Sequence, residues 1–257
     1  FDPEQGKLTV NRWIIGKLRD AEVAASAAVA AYRFNDMAGA LYQFTWGTFC
    51  DWYVELVKPV LLGDDEAAKT ETRATAAWAL DQILHLLHPI MPYVTEELWQ
   101  QLGDNRQGPL ITSAWPVLDE RLSDTAVNAE MDWVVRLISQ IRAVRSEMNV
   151  PPKALVPLLL KDAGSEAGAA METHGELIKR LARLDSLGVL DGEVPKGAVQ
   201  DIIDEATIVL PIADVIDIAA EQARLEKEIA KLDGEVKRFE GKLANKKFTT
   251  KAPPAVV

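Results

Sequence analysis

The chain has 257 residues, of which 48% are hydrophobic and 26% are charged, a composition that excludes a mainly disordered protein. Its single cysteine, Cys50, excludes an internal disulfide framework and a cysteine-based zinc ribbon, and a formal net charge of −11, taken alone, argues against a nucleic-acid partner. No stretch is apolar for long enough to span a bilayer, and no basic-then-apolar leader precedes the first helical pattern. We therefore expect a cytoplasmic protein with no membrane partner.

Apolar periodicity predicts two helices in the first sixty or so residues. The first should face the core with Ile14, Leu18, Ala21, Ala25, Ala28 and Tyr32. Asn35 or Asp36 should cap the second helix, which must end before Pro59. Its expected inward residues are Met37, Leu41, Phe44, Thr48, Trp52 and Leu56.

Three further helices follow before residue 152. The third should begin at Asp65 and end before Pro89, with Ala76, Leu80, Ile83 and Leu87 facing inward. Pro92 should open a short fourth helix that Gly103 terminates. Ser123 or Asp124 should cap a long fifth helix with Val127, Met131, Val134, Ile138 and Ile141 inward. Five amphipathic helices with short connections predict an antiparallel helical bundle over residues 1–152.

The pattern changes over residues 153–220, where we predict a small α+β module. Residues 154–160 form a short apolar run typical of a buried strand, and residues 165–187 have the pattern of a helix. Two more strands are expected at 198–203 and 206–211, with Asp204 and Glu205 at the turn between them. A module of this size is too small for a large core of its own.

A heptad pattern begins at Glu221 and predicts a coiled-coil helix in the last segment, 221–257. Its seam consists of Leu225, Ile229, Leu232, Val236, Phe239 and Leu243. Because one heptad helix cannot bury its own seam, we expect a partner helix. We interpret the chain as a fragment cut inside a helical hairpin, in which the unpaired seam could self-associate.

No catalytic motif is present, so we predict no catalytic residue in this chain. Phosphate-binding glycine loops, GxSxG, HExxH and paired CxxC motifs are all missing from the sequence. His85 and His88 have a spacing that could bind a metal ion, but no third ligand lies near them in sequence. We therefore assign both histidines structural roles and predict no metal site.

A cation, an aromatic ring and an amide come together at Arg33, Phe34 and Asn35. Such groups can stack on unpaired RNA bases and hydrogen-bond to their edges. From spacing alone, a helix N-cap with a hydrophobic staple is the favoured explanation of this segment. Asn11, Arg12 and Trp13, near the start of the first helix, pose the same choice between RNA contact and structure, with structure again favoured.

Two basic stretches are candidates for phosphate contact, although a solvated charged face is the usual explanation of such runs. The first comprises Arg136, Arg142 and Arg145 on the fifth helix, with Lys153 just beyond it, and Arg142 and Arg145 share a face. The second, the basic tip, comprises Lys242, Lys246, Lys247 and Lys251 around the expected hairpin tip, with no acid among them. Residues 221–251 carry nine basic and six acidic residues, so the acidity resides in the rest of the chain.

Several strings in sequence order resemble the anticodon-binding helical domain of class Ia aminoacyl-tRNA synthetases. They are NRWIIGKL at 11–18, YRFNDMAGALYQFTWGTFCDWYVELVKP at 32–59, HPIMPYVTEELWQQL at 88–102, SAWP at 113–116 and IRAVRSEMNVPP at 141–152. Within the class the resemblance is to valyl-tRNA synthetases. Their C-terminal coiled-coil arm is similar to ARLEKEIAKL at 223–232 and LANKKFTTKAPPAVV at 243–257.

The resemblance implies a tRNA-recognition fragment of an enzyme that joins valine to its tRNA with ATP and Mg²⁺. The catalytic HIGH-like and KMSKS-like motifs and the editing domain are missing, so this chain alone should be inactive and bind no cofactor. The bundle would receive the anticodon loop through Arg12, Lys17, Arg33, Phe34 and Asn35. The arm would contact the outer corner of a valine-specific tRNA through Lys237, Arg238, Lys242, Lys246 and Lys247. The full enzyme would be a monomer.

Two alternatives stay open. One is the C-terminal region of an isoleucyl-type enzyme, although such enzymes often end in a cysteine-rich zinc module. The other is a helical adaptor whose coiled coil recruits proteins and has no RNA role.

Overall fold

A computed structural model describes residues 1–103, 106 and 108–244 of the chain, without the side chain of Ile218. Its helices are α1 (Thr9–Ala30), α2 (Phe34–Tyr42), a π-helix (Gln43–Tyr53), α3 (Val54–Leu56), α4 (Lys58–Leu62), α5 (Glu66–Leu87), α6 (Pro92–Gln101), α7 (Thr125–Glu147), α8 (Ser165–Ala182) and α9 (Ile218–Ala244). Short 3₁₀ helices occupy Pro3–Gln5, Leu110–Thr112 and Glu120–Leu122, and the strands are β1 (Val156–Lys161), β2 (Leu184–Leu190), β3 (Ala198–Ile203) and β4 (Ala206–Pro211). The predicted fold class, mainly helical with a small α+β part, is confirmed.

Two compact units make up this structure. The first contains residues 1–138 and 165–178, and the second contains 139–164 and 179–257. These units are defined by packing, whereas the division predicted from sequence (1–152, 153–220 and 221–257) is defined by sequence pattern and stays a prediction.

The first unit is a helical bundle in which α1 lies at the centre. Every predicted inward residue of α1 except Tyr32 is buried, as are all five predicted inward residues of α7. Gly16 permits close packing between these two helices, because a Cβ there would lie 2.9 Å from Oδ1 of Asn128. The N-cap of α7 is Asp124, whose carboxylate accepts hydrogen bonds from the backbone N–H groups of Ala126 and Val127.

A buried polar network joins α1, the π-helix and α5. The Tyr53 hydroxyl donates to Oδ1 of the fully buried Asn11 at 2.9 Å, and Nδ2 of Asn11 donates to Glu71 and Thr72. Burial raises the pKa of Tyr53, with a smaller contribution from the charge of Glu71. The hydroxyl therefore stays protonated, as its donor role requires.

The π-helix changes the face that the predicted second helix buries. Each π turn takes more residues than an α turn, so the buried position after Phe44 is Tyr53 rather than Thr48 or Trp52. The prediction that Thr48 and Trp52 face the core is therefore wrong, and Cys50 is exposed.

Two other helix predictions need correction. The N-cap of α2 is Arg33, so neither Asn35 nor Asp36 caps it. The N-cap of α5 is Asp65, which agrees with the predicted start of this helix, but the buried face of α5 differs from the predicted one because threonines fill part of it. Its buried residues are Thr72, Thr75, Ala79, Ile83, Leu84 and Leu86.

The second unit contains a four-stranded mixed sheet in the order β2-β1-β4-β3. β3 and β4 have the predicted bounds and pair antiparallel, with Asp204 at positive φ in the turn between them. β2 pairs parallel with β1, and its residues 184–187 are ones that the sequence pattern assigned to the end of a helix. The predicted helix is present as α8, but its predicted end at 187 is wrong because α8 ends when Arg183 adopts the left-handed conformation, φ 58°, after which the chain extends.

The first two turns of α9, which we call its root, are hydrogen-bonded to the end of α7. Glu221 accepts hydrogen bonds from Asn149 and Arg224, and Arg224 also donates to the carbonyl oxygen of Glu147. Beyond the root, the six predicted seam residues are exposed along the described helix. In the part of the chain that the structure describes, no helix combines the length and apolarity needed to cross a membrane.

Candidate nucleic-acid interface

An aromatic residue in a strained conformation occupies the corner between α1 and α2. Helix α1 ends in a Schellman motif, in which Tyr32 N–H bonds to the Val29 carbonyl oxygen and Arg33 N–H to that of Ala28. Tyr32 takes the left-handed position of this motif, φ 58°, which usually holds glycine. Its side chain is 83% exposed, so the expectation that Tyr32 faces the core is wrong.

The three predicted base-contacting residues follow directly. Arg33 Nε pairs with Asp36 at 3.1 Å, and Asn35 Nδ2 donates to the other carboxylate oxygen of Asp36 at 2.7 Å. Asp36 therefore orients both polar side chains at one corner. Phe34 between them is 60% exposed. A hydrophobic staple would use the residue before the N-cap, which is the exposed Tyr32, so the staple interpretation does not fit this corner.

A mainly apolar cleft of about 700 Å³ lies beside this corner. Its lining residues are Ser26, Val29, Ala30, Phe34, Met37, Ala38, Pro89, Ile90 and Trp115. Trp115 Nε1 donates to the Ser26 hydroxyl, which donates in turn to Glu22, so the polar groups at this wall are already paired. The cleft therefore offers apolar and aromatic surface for a flat ring.

Arg12 and Lys17 lie near the opposite end of α1. Arg12 pairs with Asp124, and Lys17 pairs with Asp132, which also accepts from Trp13 Nε1 at 2.9 Å. At 1.5 Å per residue, Arg12 is about 27 Å from the end of α1. The structure thus brings together Arg33, Phe34 and Asn35 but separates Arg12 and Lys17 from them.

The two arginines predicted on the fifth helix differ in exposure. Arg145 is only 7% exposed, and its guanidinium donates to the carbonyl oxygens of Arg183, Pro151 and Ala154. A guanidinium held in this way cannot reach an external phosphate, so the prediction of a phosphate contact does not fit Arg145. Arg142 is exposed, and its Nε donates to the Leu181 carbonyl oxygen at 3.0 Å.

The arm candidates are exposed along α9. Arg238 lies over the Phe239 ring at 5.0 Å from its centroid, and Lys242 Nζ lies at 5.7 Å. Lys237 is exposed beside them. Lys246 and Lys247 lie outside the described residues, as does the rest of the predicted basic tip.

The two histidines make local hydrogen bonds. His85 Nδ1 contacts the Asp81 carbonyl oxygen, and His88 Nδ1 contacts the Thr95 hydroxyl, each at 2.8 Å. Among residues 1–103, 106 and 108–244, no group of three or more His, Cys, Asp or Glu side chains is arranged to hold a metal ion.

Comparison with known families identifies the bundle. Residues 11–160 match the family model described as the anticodon-binding domain of tRNA ligase. The chain belongs to this family. Residues 217–257 match a second model, described as the valyl tRNA synthetase tRNA binding arm. The first match includes the exposed corner at Tyr32–Asn35, and the second includes all of α9.

Curated relatives carry the same pair of regions. The chain is 47% identical over its full length to the valine–tRNA ligase of Brucella suis and covers 28% of that protein. It is 47% identical over 98% of its length to that of Mesorhizobium japonicum, and 46% identical over its full length to that of Agrobacterium fabrum, covering 27% of each. The chain thus spans little more than a quarter of the length of these relatives.

Proposed function

We propose that this chain is the tRNA-recognition part of a valine–tRNA ligase, in which it binds the anticodon loop and the outer corner of a valine-specific tRNA. The observation that carries the proposal is the order of the two family matches in one chain, an anticodon-binding domain followed by a valyl-type arm. The valyl-type arm also favours this assignment over an isoleucyl-type enzyme.

The corner between α1 and α2 is the proposed anticodon site. Bases in a loop are unpaired, so their faces can stack and their edges can hydrogen-bond. Phe34 and Tyr32 supply exposed rings, Asn35 an amide for base edges, and Arg33 a cation that stacks or contacts phosphate. The apolar cleft beside Phe34 supports this role because it has room for a base ring.

Arg12, Lys17 and the arm candidates are proposed to contact the tRNA backbone. At Arg12 and Lys17 a phosphate must compete with Asp124 and Asp132, so we expect weaker contributions there. In the arm, the proposed contacts are Lys237, Arg238, Lys242, Lys246 and Lys247.

The rest of the proposed enzyme supplies the chemistry. We propose that it joins valine to tRNA at the expense of ATP, with Mg²⁺, at residues outside this chain, and that it works in the cytoplasm as a monomer. This chain contributes positioning of the tRNA and needs no cofactor for that purpose.

A gel-shift or filter-binding assay with purified valine-accepting tRNA at low salt tests the proposal. We expect a saturable complex that weakens as salt rises, because phosphate contacts release counterions. The exposed heptad seam favours one rival function, a protein-recruiting adaptor. That rival predicts no tRNA complex at any salt concentration.

Replacing Tyr32 with glycine should affect stability and binding in opposite directions. A non-glycine residue pays about 1–2 kcal/mol for the left-handed conformation, and glycine adopts it without that cost. Glycine also loses more backbone entropy on folding, which reduces the gain in stability by about 0.5–1 kcal/mol. We therefore expect a melting temperature equal to or slightly above that of the parent chain, together with weaker tRNA binding. Thermal unfolding and filter binding measure the two effects, and unchanged affinity would remove Tyr32 from the proposed site.

A further inference from the structure

The second unit contains a cluster of cations that the proposed anticodon site and arm do not include. Residues 139–164 and 179–190 carry seven basic and three acidic residues, in a chain whose net charge is −11. The basic ones are Arg142, Arg145, Lys153, Lys161, Lys179, Arg180 and Arg183. Of these, Arg142, Arg145, Lys179, Arg180 and Arg183 lie in the last turns of α7 and at the end of α8.

Hydrogen bonds bring the arginines of both helices together. Arg142 Nε donates to the Leu181 carbonyl oxygen at 3.0 Å, and Arg145 donates to the Arg183 carbonyl oxygen at 3.2 Å. The left-handed conformation of Arg183 ends α8 at this point. Arg142, Arg180 and Arg183, which we call the arginine patch, are all exposed.

The charges of Arg145, Arg180 and Arg183 are poorly compensated. Arg145 is buried, and the acceptors that its guanidinium meets are neutral carbonyl groups. Burial lowers the pKa of Arg145, and the neighbouring charge of Arg183 lowers it further. Among the described residues, Arg180 and Arg183 form no ion pair, and the nearby Asp185 accepts from Ser186.

We infer that the arginine patch binds the phosphate backbone of the tRNA, as a contact separate from the anticodon corner and the arm. The inference rests on the proposed function. A polyanion suits the patch because it can engage several guanidinium groups at once, and guanidinium forks match phosphate oxygens. An anion there also offsets the repulsion between Arg183 and Arg145.

The double variant Arg180→Gln/Arg183→Asn tests the inference. Glutamine is a good helix former, and asparagine tolerates the left-handed conformation, so the fold should persist. We expect roughly five- to tenfold weaker tRNA binding, and a plot of log K against log salt flatter by about 1 for each lost phosphate contact. The melting temperature should not fall, because removing Arg183 relieves repulsion on Arg145.

Matched variants separate the possible outcomes. Lys196→Gln removes an exposed charge of the same unit outside the patch and should leave affinity unchanged, whereas Arg183→Lys should retain most of the binding. Unchanged affinity and salt slope in the double variant, with normal binding by the parent chain, would overturn this inference alone. Absence of binding by the parent chain would instead refute the proposed function.

Discussion

Replacing Phe34 with alanine should weaken binding of the valine-accepting tRNA by about five- to 150-fold, since stacking on an aromatic side chain contributes about 1–3 kcal/mol per base. The loss should be largest for the tRNA with its own anticodon. Phe34 is more than half exposed, so it buries little apolar surface in the fold, and its removal should hardly change the free energy of unfolding. Filter binding with tRNAs that differ only in the anticodon measures the effect.

Trp46→Ala is the matched control for this variant. Trp46 is 58% exposed and lies in the π-helix of the same unit, but it does not line the cleft. We expect its removal to leave tRNA affinity near that of the parent chain. If Phe34→Ala instead lowers the melting temperature and weakens binding equally for every anticodon, Phe34 has a structural role and no part in anticodon recognition.

Replacing Arg145 with alanine should destabilise the second unit by about 3 kcal/mol or more, because hydrogen bonds to a charged group contribute about 1.5–3 kcal/mol each. The variant leaves three carbonyl groups without their donor. Hydrogen exchange of the β1 and β4 amides measures the effect in the unit concerned. Tryptophan fluorescence follows the first unit separately, since all seven tryptophans lie there.

Arg142→Ala is the corresponding control, one helical turn earlier on the same face. Its side chain is exposed and its hydrogen bond to the Leu181 carbonyl oxygen faces solvent, so we expect a smaller loss of stability, about 1 kcal/mol. A loss of tRNA affinity in Arg145→Ala at unchanged sheet protection would contradict the structural role and restore Arg145 as a phosphate contact.

Local sequence patterns predicted the elements whose apolar residues keep one regular spacing from end to end. The faces of α1 and α7 follow helical spacing, and β3 and β4 alternate around a short turn. The pattern failed where a local conformation changed the period or ended an element. The π-helix makes Tyr53 rather than Trp52 the buried position. No glycine or proline stands at Arg183, whose left-handed conformation ends α8 before β2.

The candidate site was predictable in part for similar reasons. Residue chemistry singled out Arg33, Phe34 and Asn35, and the structure exposes them at one corner. The sequence pattern missed Tyr32 as a site residue. Tyr32 fits the apolar spacing of α1 and was therefore assigned to the core, but α1 ends at Ala30. The pattern also paired Arg142 with Arg145, because three-residue spacing predicts a shared face but not which side chain the neighbouring chain covers.

If this chain recognises the anticodon, its affinity must depend on the anticodon sequence, and a comparison of two tRNAs tests this most directly. Dissociation constants should be measured for the valine-accepting tRNA and for the same tRNA with only its anticodon changed, at one salt concentration. We predict clearly tighter binding of the unchanged tRNA and loss of that preference in Phe34→Ala. Equal dissociation constants for the two tRNAs with the parent chain would contradict the account.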